Sequence, residues 1–175
     1  MQRNGEASRR VGPTGVAVLF LLVLAGTGCA GTLKGQVVDA QTGQPIEGAV
    51  VLGVWTKYAG FPGLQHTELV AVKETETDAE GRFALETAGS LGVEEAVTIY
   101  KFGYVAWSNL FIFPTSERRQ DTRVPSKVLL ERFPVGQSHQ RHISFIDGAT
   151  RAGVGYGLES IPKFWSAIRP ELRSP

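Results

Sequence analysis

The sequence predicts an all-β domain, about seven short strands folded as a two-sheet sandwich, with a short helical tail at its C-terminal end. Three observations carry that expectation. Two stretches, Thr32–Asp39 and residues 68–77, alternate residue by residue, the period of a strand with one face buried. Glycine at 21 positions and proline at 9 cut the chain into short runs bounded by turns. A helical spacing of apolar residues emerges only from Leu158 onward.

Before the domain lies a leader. Arg9 and Arg10 precede an apolar run over residues 16–25, and Gly26, Thr27, Gly28 and Cys29 follow. A basic start, a short apolar core and small residues make a secretory signal, and the run is too short to span a bilayer comfortably. A small residue before the single Cys of the chain resembles a bacterial lipoprotein signal, with Gly26 where that motif usually carries Leu. The resemblance implies cleavage after residue 28, a lipid on Cys29, and anchorage at the outer membrane facing the periplasm. With one Cys there is no intrachain disulfide, so the domain must be held by its core. Removing 28 of the 175 residues leaves 147, the size of one domain with a tail. The leader holds Arg3, Arg9, Arg10 and Glu6, so a net charge of +1 falls by two, to −1. Such a chain has no basic surplus with which to neutralise phosphates, which excludes nucleic acid as a partner.

Taken in order, Leu33, Gly35, Val37 and Asp39 oppose Lys34, Gln36 and Val38 in the first strand. A turn at residues 40–43 ends on Gly43, and Pro45 sets the re-entry. Residues 48–56 are apolar at nearly every position, so they read as a central strand covered on both faces. Residues 57–67 carry aromatics, three breakers and no period, and read as a long loop. Residues 68–77 and 82–87 form a hairpin closed by Asp78 and Gly81, with Phe83 and Leu85 inward. Strands are expected at 96–101, 105–113 and 127–133, with a turn at Gly103 and Tyr104 and a charged loop at 114–123. Residues 134–175 read as an irregular tail with a short amphipathic helix at about 160–169. Leu158, Ile161, Trp165, Ile168 and Leu172 are its stripe, Ser160 its cap, and Pro170 its stop.

Three blocks of these residues match a family pattern. The first comprises Gly35, Val37, Asp39, Thr42, Gly43, Pro45, Ile46, Gly48, Ala49 and Val51. The second comprises Thr75, Thr77, Asp78, Gly81, Phe83 and Leu85, and the third Gly103 with Tyr104. Over residues 33–133 the chain resembles the carboxypeptidase regulatory-like family, a transthyretin-like, Greek-key β-sandwich of immunoglobulin-like architecture, similar to Cna-B-like domains. The resemblance implies a non-catalytic accessory or ligand-binding module on an envelope protein, and gives the motif residues structural duties.

Catalytic arrangements are sparse. Zinc carboxypeptidases that carry such a domain use a His-x-x-Glu pair, and none of His66, His139 and His142 has Glu three residues on. His139 and His142 are spaced as two ligands on a helix without a clear third, and read as exposed polar residues of the tail. No catalytic residue, metal site or cofactor is therefore expected. An alternative is a metal-dependent enzyme similar to intradiol dioxygenases, whose ferric iron is held by two Tyr and a His-x-His pair. Tyr58, Tyr100, Tyr104 and Tyr156 would supply the first, but the His spacing differs. Asn109, the single Asn after the leader, and Lys34 could form a strand-locking amide bond, yet Asn109 is not in the last expected strand. Arg118, Arg119 and Arg123 have acids beside them and read as a solvated loop. The preferred contact surface is Tyr58, Phe61 and Leu64 with Trp55 behind them, aromatics on which an envelope protein or a glycan would stack. The expected function is thus a lipid-anchored structural or interaction module, with a carbohydrate-binding module as the alternative.

Overall fold

The computed structural model describes residues 31–89, 91–150 and 160–174, so the leader and Cys29 lie outside the described residues. Those residues are mostly β-sheet with two helices. The order is β1 (Thr32–Asp39), β2 (Val50–Ala59), β3 (His66–Glu76), β4 (Arg82–Glu86), β5 (Val93–Tyr100), β6 (Trp107–Ser108), β7 (Phe111–Ile112), β8 (Glu117–Arg118), β9 (Lys127–Leu130), α1 (His139–Ala149) and α2 (Pro162–Leu172). Among the described residues no helix is long and apolar enough to cross a membrane.

One sheet runs β4-β1-β9, a second β3-β2-β5-β6, and β7 pairs with β8. Pairing is antiparallel throughout except between β1 and β9. The pattern of β2 explains how the layers stack. Val51 and Trp55, with Val97 and Ile99 of β5, pack against Val37, Phe83, Leu85, Val128 and Leu130 of the first sheet. Val50, Leu52 and Val54 point the other way, with Tyr100, into Phe145, Ile146, Ile161, Phe164 and Ile168 of the helical segment. A strand buried on both faces needs an unbroken apolar run, and residues 50–55 supply one. Each aliphatic or Phe side chain removed from water there contributes about 1.5–3 kcal/mol.

The structure corrects several expectations. Nine strands are described where seven were expected. The stretch 105–113 is two short strands, because the Asn109 amide turns inward, accepting from Val97 N–H and donating to the Glu95 and Thr122 carbonyls. That amide is thus committed to the backbone. Part of the charged loop, β8, pairs with β7. The expected long loop at 57–67 is shorter, because residues 57–59 extend β2 and residues 66–67 begin β3, leaving residues 60–65 to turn.

The tail differs most. Residues 139–149, read as irregular, form α1, whose Ser138 side chain accepts the Arg141 N–H and whose inner face is His142, Phe145, Ile146 and Ala149. In α2, Ser160 is not the cap. Instead the Glu74 carboxylate of β3 accepts the Lys163 and Phe164 N–H groups at 2.8 and 2.9 Å, satisfying a helix N-terminus with a charge of the favourable sign. The buried face is Phe164, Ile168 and Glu171, while Leu172 is exposed and Trp165 half-buried. Pro170 lies inside the helix, which runs on to Leu172. Leu158 lies outside the described residues.

Candidate functional site

The preferred contact residues separate into a core member and a protruding trio. Trp55 is 0% exposed, packed between the sheets with its indole N–H donating to Glu95 at 3.1 Å, so it is not part of a surface. Tyr58, Phe61 and Leu64 are 61%, 81% and 82% exposed on the β2–β3 hairpin. The tip is a built turn. Leu64 N–H donates to the Phe61 carbonyl at 2.9 Å, with Pro62 and Gly63 between them and Gly63 at φ +91°. Pro at the second place and a left-handed Gly at the third are the chemistry of a type II turn. Behind the tip, Lys57 pairs with Glu68, and His66 reaches the same carboxylate. Apolar side chains therefore cap a polar neck.

The motif residues hold the other end of the domain. Asp39 is buried, and its Oδ1 accepts the Gln41 and Thr42 N–H groups, both at 2.9 Å. Its Oδ2 accepts Tyr104 O–H at 3.0 Å and Arg132 Nε–H at 2.9 Å. The Thr42 N–H foremost, helped by Gln41, Tyr104 and Arg132 and opposed by burial, holds this carboxyl far below the ordinary carboxylate range. Thr77 accepts the Ala49 N–H and donates to the Ile46 carbonyl, while Asp78 accepts the Glu80 and Arg82 N–H groups. Gly81 has φ +70°, and a Cβ there would overlap the Val37 carbonyl oxygen. Phe83 lies across Gly35, its ladder partner.

A polar cluster that sequence reasoning missed joins the helices to β5. Glu171, 1% exposed, receives Tyr100 O–H on Oε2 at 2.8 Å, and both His139 Nδ1 and His142 Nδ1 converge on Oε1. His142 Nε2 accepts the Ala106 N–H at 2.8 Å, which assigns the proton to Nδ1 and makes His142 a neutral donor to Glu171. Burial, opposed by Glu171, pushes the His142 pKa down, and burial followed by the Glu171 bond pushes the Tyr100 phenol up. For Glu171 itself burial favours the neutral acid, but the bonds from His139, His142 and Tyr100 overcome it and its pKa falls. The His139 ring stacks on Phe133 at 4.6 Å. The histidines expected as exposed tail residues are thus members of a buried network, and His142 is 0% exposed. The spacing of His139 and His142 was a signal; their carboxylate partner, 29 residues beyond His142, was not.

This arrangement ties both helices to β5 through one buried carboxylate. Among the described residues no group of three or more His, Cys, Asp or Glu is disposed to hold a metal ion. The tyrosines weighed as iron ligands are dispersed: Tyr58 on the hairpin, Tyr100 in the cluster, Tyr104 at Asp39, with Tyr156 outside the described residues. Arg119 lies over the Trp107 ring and donates to the Ser108 carbonyl, Arg123 pairs with Asp121, and Arg118 is exposed on β8. A cleft of 620 Å³ runs from Leu33 past Val93 and Glu95 to Arg118 and Arg123. Scans against family models, the curated proteins and the solved structures find no match for the chain.

Proposed function

We propose that this chain is a lipid-anchored, non-catalytic protein of the cell envelope whose β-domain is a structural or interaction module presenting the β2–β3 hairpin to a partner. The observation that carries the reading is the tip itself. Phe61 and Leu64 stand in water at the two ends of the turn made by Pro62 and Gly63, with exposed Tyr58 beside them on β2, whereas the buried groups Asp39, Tyr100, His142 and Glu171 are committed to hydrogen bonds inside the fold. On this reading the domain is a transthyretin-like β-sandwich of the regulatory-like kind, anchored through Cys29 at the outer membrane facing the periplasm. Support comes from the leader and from motif residues that occupy turns and cross-links, as structural duties require. Fractionating cells that express the full chain and its Cys29→Ala variant tests the anchor. The parent should sediment with membranes and resist alkaline extraction, and the variant should move to the soluble or precursor pool. Unchanged membrane association of Cys29→Ala would refute it.

A further inference from the structure

The end of the domain from which the tip projects is also the end at which the chain enters. Thr87 N–H donates to the Gly31 carbonyl at 2.8 Å, and Thr32 pairs with Glu86, so the start of β1 lies beside the exit of β4. From Thr87 the chain passes Leu91, 105% exposed, and enters β5 at Val93, which pairs with Lys57 at the neck of the hairpin. Leu33 and Val93 line the same cleft. Gly31, Leu91 and the hairpin tip therefore share one end. Cys29 is two residues from Gly31, a reach of at most about 7 Å.

We propose that the hairpin tip seats in the lipid bilayer that carries the Cys29 anchor, with the occupant of Tyr58, Phe61, Leu64 and Leu91 being the membrane interface itself. This rests on the lipoprotein reading given above and adds the partner of its exposed tip. Residues 59–64 contain no side chain with a hydrogen-bonding group, so Tyr58 alone of the patch offers one to a sugar or a polar protein surface, and an acyl boundary needs none. The side chains are layered as an interface is layered. Phe61 and Leu64 are outermost, His66 opposite Ala59 and amphipathic Tyr58 opposite Thr67 follow, and the ionic Lys57–Glu68 pair, to which His66 reaches back, lies behind. From Lys57 to the turn is about 10 Å at the rise of a strand, comparable with the 5–10 Å that interfacial elements bury. The contact can be weak on its own, because a tether of two residues holds it at high effective concentration.

The test places a reporter at the tip of the full lipidated chain. Phe61→Trp and Val135→Trp are compared, each as the difference from the parent with its native Trp55, Trp107 and Trp165, in vesicles of phosphatidylethanolamine and phosphatidylglycerol, with and without brominated phosphatidylcholine. Val135 belongs to the opposite end, since Phe133 N–H bonds the Gly103 carbonyl there, and is itself fully exposed. Both positions face water, so neither variant threatens folding. The expected result is a tip emission shifted to the blue and quenched by the brominated lipid, with the Val135→Trp emission unmoved. A tip that stays unquenched while Cys29 retains the protein on the vesicles overturns the proposal and leaves the anchor standing. A tip quenched no more than Val135→Trp, but shifted to the blue by added peptidoglycan fragments, overturns it in favour of a glycan. Loss of vesicle association in Cys29→Ala is read separately and tests the anchor alone.

Discussion

Replacing Glu171 by Ala should destabilise the protein more than any other single loss of a charge. The carboxylate is buried and receives three hydrogen bonds. Without it, Tyr100 O–H and His142 Nδ1–H, on residues that are themselves 0% exposed, are left without an acceptor, while His139, partly exposed, can turn to water. Each stranded buried donor costs about 1–3 kcal/mol, and breaking a buried charged network costs roughly 3–5 kcal/mol in all. For a chain of this length that corresponds to a fall in Tm of roughly 6–20 °C. Glu171→Gln keeps the shape and one acceptor, and should lose about 1–2 kcal/mol. Thermal unfolding followed by near-ultraviolet circular dichroism measures both. Equal melting of the parent and Glu171→Ala, within about 1 kcal/mol, would mean that the cluster does not hold the helices on β5.

Acid should weaken the same region. The His142 pKa is depressed from 6.5, so below that value the unfolded chain takes up a proton that the folded one refuses, and stability falls with pH by up to about 1.4 kcal/mol per unit. Glu171, depressed from 4.5, stabilises the fold above that value and loses its contribution as pH falls through its lower folded pKa. Both lean the same way, and His142→Gln should flatten the upper part of a Tm-against-pH curve; an unchanged slope would remove His142 from the account. Gly81→Val should cost at least about 1–2 kcal/mol for forcing a branched residue left-handed, with the Val37 carbonyl overlap in addition, as urea unfolding would register. Deleting residues 160–175 should expose Val50, Leu52 and Val54 and make the protein aggregate, because Ile161, Phe164 and Ile168 each contribute about 1.5–3 kcal/mol of burial; a stable monomeric truncation by light scattering would contradict this.

What the sequence made legible follows from period and turn chemistry. The first strand is found at its expected bounds because Leu33, Gly35 and Val37 alternate cleanly up to the Asp39 turn. The two-sided burial of β2 was readable from its unbroken apolar run, and Gly81 from its acidic tight turn. The hairpin beyond Thr56 was not, because Lys57, Tyr58, His66 and Thr67 pair through their backbones while their side chains face water without a burial pattern. The first helix was hidden because two of its four inward positions are His142 and Ala149, which dilute an apolar stripe. The face of α2 is read in place at Ile161 and Ile168, and one step out at Trp165 for Phe164 and Leu172 for Glu171, for a similar reason. An ionisable Glu171 takes an inward position, which a hydrophobic pattern assigns to its neighbour Leu172. Its burial becomes intelligible only when Tyr100 of β5 and His139 and His142 of α1 arrive from two other parts of the chain.

The proposed lipid on Cys29 is measured most directly by the intact mass of the protein extracted from membranes. The expected result is a mature chain that begins at Cys29 and carries a diacylglyceryl group on its sulfur. A membrane-extracted chain that begins elsewhere, or begins at Cys29 with an unmodified thiol, would contradict it.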